Sequence, residues 1–368
     1  MTTDVPPQQD EFELSLFGPG VGECIVTHIG DGQWAVVDSC LRPGTKQPLA
    51  LSYLQNFGVN IANSVSLIVV THWHDDHMEG VATLLEEATN ARFCCSVALT
   101  KHEFFKVAAQ ANQLMAKSSD VGEMEGIFRI LRRRKASRTT TPFGSVKFAQ
   151  EDTRLFQRLG GAVPVELWSL SPSAASITRS LQEFSHMIPE ISSAKVHLPR
   201  QKANDVAVAL FLQAGEFRVL LGSDLQSDTA ADRGWRAVLA STSRPQERAH
   251  VFKVPHHGSR NAHHSEVWKL MLEESPIAAI TPFASGAEPL PRTADQQRIV
   301  SLTKRAYCTA RSQGWSAPRK GQPVDRVLQE RKLRAIDPKV VGHIRVRRRF
   351  QGESDFRIEM LNGAYQLR

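Results

Sequence analysis

Four residues able to hold a metal fall within six positions in the run Thr71-His72-Trp73-His74-Asp75-Asp76-His77. Two histidines at i and i+2 project the same way while the chain is extended. An aspartate and a histidine one turn later can then serve a second ion. Imidazole and carboxylate donors suit a divalent metal, zinc first, with manganese or iron(II) also fitting. Asp75 reads as a solvated helix N-terminal residue. Two later runs end in the same kind of side chain. Val219-Leu220-Leu221-Gly222-Ser223-Asp224 places a carboxylate where it could bridge two ions. Val254-Pro255-His256-His257-Gly258-Ser259 offers paired histidines. Spacing does not choose between His256 and His257, because adjacent strand residues face opposite ways. One is expected to be a ligand, the other an outer partner or a substrate contact. His72, His74, Asp76, His77, Asp224, His256 and His257 are therefore the candidate metal set. Among them Asp76, His77 and Asp224 are the catalytic candidates. Such an ion lowers the pKa of bound water and stabilises charge on a phosphoryl oxygen.

The elements that must position these residues are legible around them. VSLIVV, residues 65–70, is an almost wholly apolar run, the mark of a strand buried on both faces. It feeds the HxHxDH run, and residues 81–89 continue as a helix. Residues 12–17 (FELSLF) alternate as a strand, and residues 24–29 and 34–37 form a hairpin across Gly30-Asp31-Gly32. Residues 48–57 and 235–240 read as helices, and 94–99 and 165–170 as strands. Residues 207–212 and 217–221 form a second hairpin, and 249–254 a strand. A helix over 267–274 and a strand over 277–281 follow. Residues 101–141 read as a polar helical insertion, and 173–203 as a Ser-rich, irregular one. Strands in groups with helices between them suit two mixed sheets sandwiched between helices. Asp38, ending its strand, is placed to orient a ligand histidine. Asn204, Ser259 and His263 or His264 are candidate contacts for a scissile phosphate.

These motifs resemble the metallo-β-lactamase-fold hydrolases, and more narrowly the metallo-hydrolase domain of ComEC-type competence proteins and their stand-alone relatives. The resemblance covers about residues 12–315. It rests on Gly22-Glu23-Cys24, Val36-Val37-Asp38-Ser39, the HxHxDH run, LWSLSP at 167–172, Asn204-Asp205, LLGSD and VPHHGS. It implies a four-layer αββα sandwich with a one- or two-metal centre at its edge. The sequence departs from that pattern in two places. No histidine stands near residues 167–172, where the broader fold supplies another ligand, and His102, His186 and His197 carry no assignment. Residues 284–292 hold Pro289-Leu290-Pro291 without a histidine.

Composition narrows the function classes. The 368 residues are 41% hydrophobic and 23% charged, enough to bury a core. No apolar run reaches the length of a membrane span, roughly 18–20 residues. The five cysteines form no CxxC pair, so cytosolic thiols and a cytoplasmic location are expected. The net charge of +7 is uneven: residues 291–368 hold 18 Lys/Arg against 7 Asp/Glu. A second basic run spans residues 129–138. Arg132, Arg133, Arg134, Arg345, Arg347, Arg348 and Arg349 are therefore candidates for binding a polyanion or an acidic partner surface. The expected organisation is a flexible tail (1–11), a hydrolase domain (12–315) and a basic C-terminal extension packed on it (316–368). The expected function is a metal-dependent phosphodiesterase or nuclease acting on nucleic acid or another phosphodiester. The alternatives are a small-molecule ester or thioester hydrolase, or a non-catalytic metal-binding subunit that meets protein partners through its basic surfaces.

Overall fold

A computed structural model describes residues 4–100, 119–136, 146–191, 203–285, 288–311, 341–352 and 355–368. Its sixteen strands form two eight-stranded mixed sheets. The first runs β15-β14-β1-β2-β3-β4-β5-β6, and the second β16-β13-β12-β11-β10-β9-β8-β7. In chain order these are β1 (Glu11–Gly18), β2 (Cys24–Ile29), β3 (Trp34–Val37), β4 (Val65–Val70), β5 (Arg92–Ser96) and β6 (Val146–Ala149). Then come β7 (Thr153–Arg158), β8 (Val165–Ser169), β9 (Leu210–Ala214), β10 (Phe217–Leu221) and β11 (Ala249–Lys253). The last are β12 (Leu272–Ile280), β13 (Ala306–Cys308), β14 (Gly342–Arg349), β15 (Arg357–Leu361) and β16 (Tyr365–Gln366).

Three apolar cores make this a four-layer αββα sandwich, as the residue pattern leads one to expect. The inner faces of the sheets meet around Phe12, Leu14, Leu67, Val69, Leu212, Val219 and Val251. Helices Leu49–Asn56, Val81–Glu87 and Ser119–Ala136 cover the first sheet through Leu54, Leu84, Leu85, Ile127 and Ile130. Helices Gly234–Ala240, Ser265–Leu270 and Thr293–Leu302 cover the second through Trp235, Val267 and Ile299. A strand such as β4, buried on both faces, has no polar alternation to show, which is why VSLIVV reads as one apolar run.

Several boundaries differ from the sequence expectation. β6 and β7 (VKFA and TRLFQR) lie at sheet edges; β7 exposes Arg154 and Gln157, and β6 is four residues long with Phe148 exposed, so neither carries a clean apolar signature. The Ser-rich stretch contains an 18-residue helix, Ala174–Ile191. The helix expected over 267–274 stops at Leu270, because residues from Leu272 on belong to β12. His102, His197 and all of residues 101–118 and 192–202 lie outside the described residues.

The largest correction concerns the basic C-terminal segment. β14 pairs antiparallel with β1 over its whole length, and β16 pairs with β13, so this segment is woven into both sheets. Arg345 and Arg347 share a face, as their spacing predicts, but that face is covered. They are 4% and 5% exposed and cannot grip a polyanion. Arg347 donates to Glu13 at 2.6 Å and to the Val5 carbonyl at 2.7 Å. Arg345 meets Asp4 at 2.7 Å and Glu359 at 3.1 Å, and lies over the Tyr53 ring. Residues 4 and 5 of the expected tail are thus tied down. Arg348 lies 4.5 Å from the Phe217 ring centroid, and Arg349 is exposed. On the Ser119–Ala136 helix, Arg132 and Arg133 are exposed, and Arg133 pairs with Glu86. Arg134 donates to the Leu85, Ala88 and Ala91 carbonyls, capping the preceding helix instead of facing solvent.

Removing one partner of a buried ion pair leaves the other charge uncompensated, which typically costs roughly 3–5 kcal/mol. Arg347→Ala, which takes from Glu13 its closest cation and leaves it Arg345 at 3.8 Å with the Ser15 and Tyr53 hydroxyls, is expected to lower urea-unfolding stability by up to about that amount. Arg349→Ala should stay within about 0.5 kcal/mol. Equal effects of the two would remove the buried role assigned to Arg347.

Candidate metal centre

The parallel strands β3, β4, β10 and β11 deliver their C-terminal ends to one edge of the sandwich. Asp38 follows β3, the HxHxDH run follows β4, Asp224 follows β10, and His256-His257 follow β11. Backbone bonds sew these loops together. Glu23 N–H donates to the Asp76 carbonyl (2.8 Å), Ser39 N–H to His77 (2.8 Å) and His256 N–H to Ser223 (2.9 Å). Asp38, Ser223, His256 and His257 all have positive φ, between 46° and 59°. Non-glycine residues held there carry strain of order 1–3 kcal/mol each, and such strain concentrates at functional sites. Gly22 (φ 100°) is required beside them, because a Cβ would sit 2.7 Å from that of Cys40.

Two groups of donors face each other across this edge: His72, His74 and Asp224, and Asp76, His77 and His257. Asp224 lies between them. Its carboxylate is 3.8 Å from His72 Nε2, 3.6 Å from His77 Nε2 and 3.7 Å from His257 Nε2. Asp76 is 3.8 Å from His77 Nε2 and 3.7 Å from His257 Nε2. These separations are too long for hydrogen bonds. They are close to the span between two donors each about 2.0–2.2 Å from one ion. His77 Nε2 and Asp224 Oδ1 are buried with no hydrogen-bond partner among the described residues.

The histidines are oriented from behind. His77 Nδ1 lies 2.7 Å from Asp38 Oδ2. His72 Nδ1 lies 2.9 Å from Thr71 Oγ1, whose hydroxyl donates to the same Asp38 oxygen at 2.7 Å. The Thr71 N–H donates to the other Asp38 oxygen at 2.8 Å. His257 Nδ1 lies 3.1 Å from the Thr281 carbonyl. Each partner is an acceptor for the Nδ1 proton, so all three rings turn an Nε2 lone pair to the cluster. This is the outer-partner arrangement of metal-binding histidines. The residues present therefore fit one or two divalent ions.

Electrostatics point the same way. Burial opposes charge on His77, but Asp224, Asp38 and Asp76 outweigh it and push its pKa up to about 10. Burial likewise opposes ionisation of Asp224, yet His257 and His77 hold its carboxyl well below the usual range. Burial, reinforced by the neighbouring His77 and His74, drives His72 well below its ordinary value. Without a metal, the proton on His77 is the cation that balances the acids.

The structure separates the paired histidines: His257 joins the cluster. His256 Nδ1 lies 2.8 Å from Asn261 Oδ1, and its Nε2 lies 3.3 Å from Asn204 Nδ2 on the cleft wall. The strand rule does not apply to them, because both sit in a 3₁₀ turn after β11. Ser259, His263 and His264 do not line the cleft; that turn and a second one, Arg260–Ala262, carry them into a separate crevice beside Trp235 and Phe252. The sequence reading assigned no role to Glu23 and Lys253. Their buried ion pair (2.6 Å) lies behind the cluster, with Lys253 also donating to the Ser223 carbonyl (3.1 Å) and Thr281 Oγ1 to Glu23 (2.5 Å). A lysine closing the apolar strand AHVFK was the available signal.

The cluster opens into a cleft of about 960 Å³. Apart from Asp76 and Asp224, the described residues lining it include Asp75, Glu79, Glu183, Asp205 and Glu288 against a single arginine, Arg179. None of the arginines expected to bind a polyanion lines it.

Residues 18–152 match the metallo-beta-lactamase superfamily model. No curated protein matches. Among solved structures, the chain is similar to a metallo hydrolase from the archaeon Ignicoccus hospitalis, at 15% identity and a TM-score of 0.39 over 80% of this chain and 94% of that one. It is also similar to human tRNase Z, short form, at 11% identity and a TM-score of 0.35 over 79% and 90%. A third likeness is to the metallo-beta-lactamase fold protein YhfI of Bacillus subtilis, at 12% identity and a TM-score of 0.32 over 66% and 70%.

Two outcomes are expected. Asp38→Asn, which disturbs the orientation of His77 and His72, should weaken zinc affinity roughly 10–100-fold in a chelator competition. An unchanged affinity would remove its orienting role. The second concerns pH. His77 holds its proton to about 10 when folded but only to about 6.5, the ordinary value, when unfolded. Between these values the folded state binds the extra proton, so stability of metal-free protein falls as pH rises. Its thermal midpoint should drop between about pH 7 and 9 while that of zinc-loaded protein holds, because the ion replaces the proton.

Proposed function

We propose that this protein is a metal-dependent hydrolase whose substrate is a small phosphodiester. The observation that supports it most is the pair of donor groups sharing Asp224, with three imidazoles locked so that Nε2 faces inward. His72, His74 and Asp224 would hold one ion, and Asp76, His77 and His257 a second. When bound, such ions supply Lewis-acid stabilisation of a phosphoryl group and make water acidic enough to attack near neutral pH. The rest falls to the chain's own residues. Asp38 fixes two rings through one carboxylate. Lys253 and Glu23 hold the Ser223 and Thr281 backbones that carry Asp224 and orient His257. His256, fixed by Asn261, stands on the cleft wall where a substrate oxygen would pass. The resemblance of HxHxDH, LLGSD and VPHHGS to the ComEC-type branch supports phosphodiester chemistry over lactam or thioester chemistry.

The acid-rich cleft favours a small substrate over a long nucleic acid. Among the described residues, a polyanion crossing it would meet five carboxylates that are not candidate ligands, of which Glu183 pairs with Arg179, the cleft's arginine, and Glu288 with Arg292. Five buried free thiols fit a reducing, cytoplasmic setting. No helix among the described residues is long and apolar enough to cross a membrane.

Bis(p-nitrophenyl) phosphate should be hydrolysed by zinc- or manganese-loaded protein. Asp76→Ala should remove more activity than the roughly 10–100-fold that loss of an outer partner costs, with the circular dichroism spectrum retained. Wild-type turnover in that variant, contaminating metal excluded, would sink the assignment. A nuclease would instead bind DNA or RNA with a steep salt dependence, about one unit of slope per phosphate neutralised. The acidic cleft predicts a shallow one.

A further inference from the structure

Beside the metal cleft lies a second cavity, of about 270 Å³. Arg179, Asn204, Asp205 and Gln226 line both, so the two spaces share a wall. The floor of the second is the loop that leaves Asp224, residues 225–229, and its roof is the Ala174–Ile191 helix. We propose that this cavity is a subsite for an uncharged, hydroxyl-bearing arm of the substrate, a ribose or shorter polyol, attached to the phosphoryl group over the Asp224 cluster. The inference rests on the phosphodiester reading for that attachment and adds the chemistry of the arm.

Three observations carry it. First, the lining is rich in hydroxyl and amide groups, with Ser176, Ser180 and Thr229 facing Asn204 and Gln226. Ser180 Oγ and Asn204 Oδ1, on residues 4% and 3% exposed, have no hydrogen-bond partner among the described residues. Buried polar groups are ordinarily paired, so two orphans on residues that line one cavity mark where a ligand hydroxyl would be met once those side chains turn toward it. The Asn204 amide is also held in a set orientation. His256 Nδ1 faces Asn261 Oδ1, which leaves Nε2 to accept from Asn204 Nδ2 and the Asn204 oxygen free to accept from a ligand hydroxyl. Second, the cations are already matched. Arg233 pairs with Asp228 (3.3 Å) and Arg179 with Glu183 (3.1 Å), which leaves no surplus positive charge for a second phosphate among the described residues that line the cavity. Third, the volume lies below the roughly 300–1,000 Å³ of a whole-ligand pocket, the size of one arm and not of a complete molecule. Because Asp224 and the floor are consecutive residues, the distance from cluster to subsite is set by the fold.

The test is calorimetric titration of the protein, its metal content determined, with uridine 5′-monophosphate, glycerol 3-phosphate and phenyl phosphate. All three carry a phosphate, and only the first two carry a hydroxyl-bearing arm. A hydroxyl-bearing phosphate should bind about tenfold tighter than phenyl phosphate, the worth of one or two net hydrogen bonds. Ser180→Leu, which fills the cavity, should erase that margin, and the milder Ser180→Val should reduce it should the larger residue impair folding. A margin confined to the nucleotide assigns the arm to ribose; one shared with glycerol 3-phosphate assigns it to a shorter polyol. Equal affinities in wild type, or a margin that survives in folded Ser180→Leu, would overturn the subsite. A margin without hydrolysis of bis(p-nitrophenyl) phosphate would overturn the phosphodiester reading and leave the subsite standing.

Discussion

Three aspartates crowded around one buried histidine ring set the terms for the rest of the molecule. Asp38, Asp76 and Asp224 all lie within 4 Å of His77, which is itself fully buried. Like charges at such range in a poorly solvated site repel strongly unless a cation sits among them. A proton on His77 meets that need in part, and a divalent ion meets it in full. The strained turns at Asp38, Ser223, His256 and His257 follow from the same constraint. Each bends a strand end sharply enough to bring a donor inward, and each persists because β-ladders on both sides over-determine its position.

Holding that cluster requires both sheets at once. Asp38 and the HxHxDH run belong to the first sheet, Asp224 and His257 to the second. Burial between sheets fixes the strands to within the packing of their side chains. The last adjustment comes from polar links across the gap. Lys253, at the end of β11, bonds Glu23, which precedes β2 in the opposite sheet. Such a pair costs desolvation on forming, so its worth lies in geometry more than in stability. It ties the backbone bearing Asp224 to the one bearing Asp76, since Glu23 N–H also meets the Asp76 carbonyl.

Much of this was legible in the sequence because the signals are local. VSLIVV followed by HxHxDH joins a doubly buried strand to ligands at its end, and LLGSD and VPHHGS repeat the form. What was not legible depended on partners distant in the chain. Period-2 spacing put Arg345 and Arg347 on one face correctly, yet whether that face meets water depends on Glu13 and Tyr53, some three hundred residues earlier. Strand β7 was hidden for the converse reason: at a sheet edge, one polar face leaves too few apolar positions to recur, and β6 is only four residues long. The choice between His256 and His257 failed because strand alternation was applied to residues that had already left the strand.

The fate of the basic residues bears on what the protein recognises. Sequence charge alone places an excess of cations in the C-terminal fifth, and a surface of that kind would attract polyanions at long range. Several of the described arginines spend that charge internally. Arg345 and Arg347 meet Glu13, Asp4 and Glu359, Arg348 covers the Phe217 ring, and Arg134 closes a helix end. The cleft is left with an excess of carboxylates, two of which are candidate ligands. Bound ions would then be its principal positive charges, concentrated where one phosphoryl group can meet them. On the proposed reading, recognition beyond that group would pass to the hydroxyl and amide groups around Ser180 and Asn204, which read shape and hydrogen-bond pattern instead of net charge. A site built this way would select for one anionic centre with polar surroundings and against a chain of phosphates.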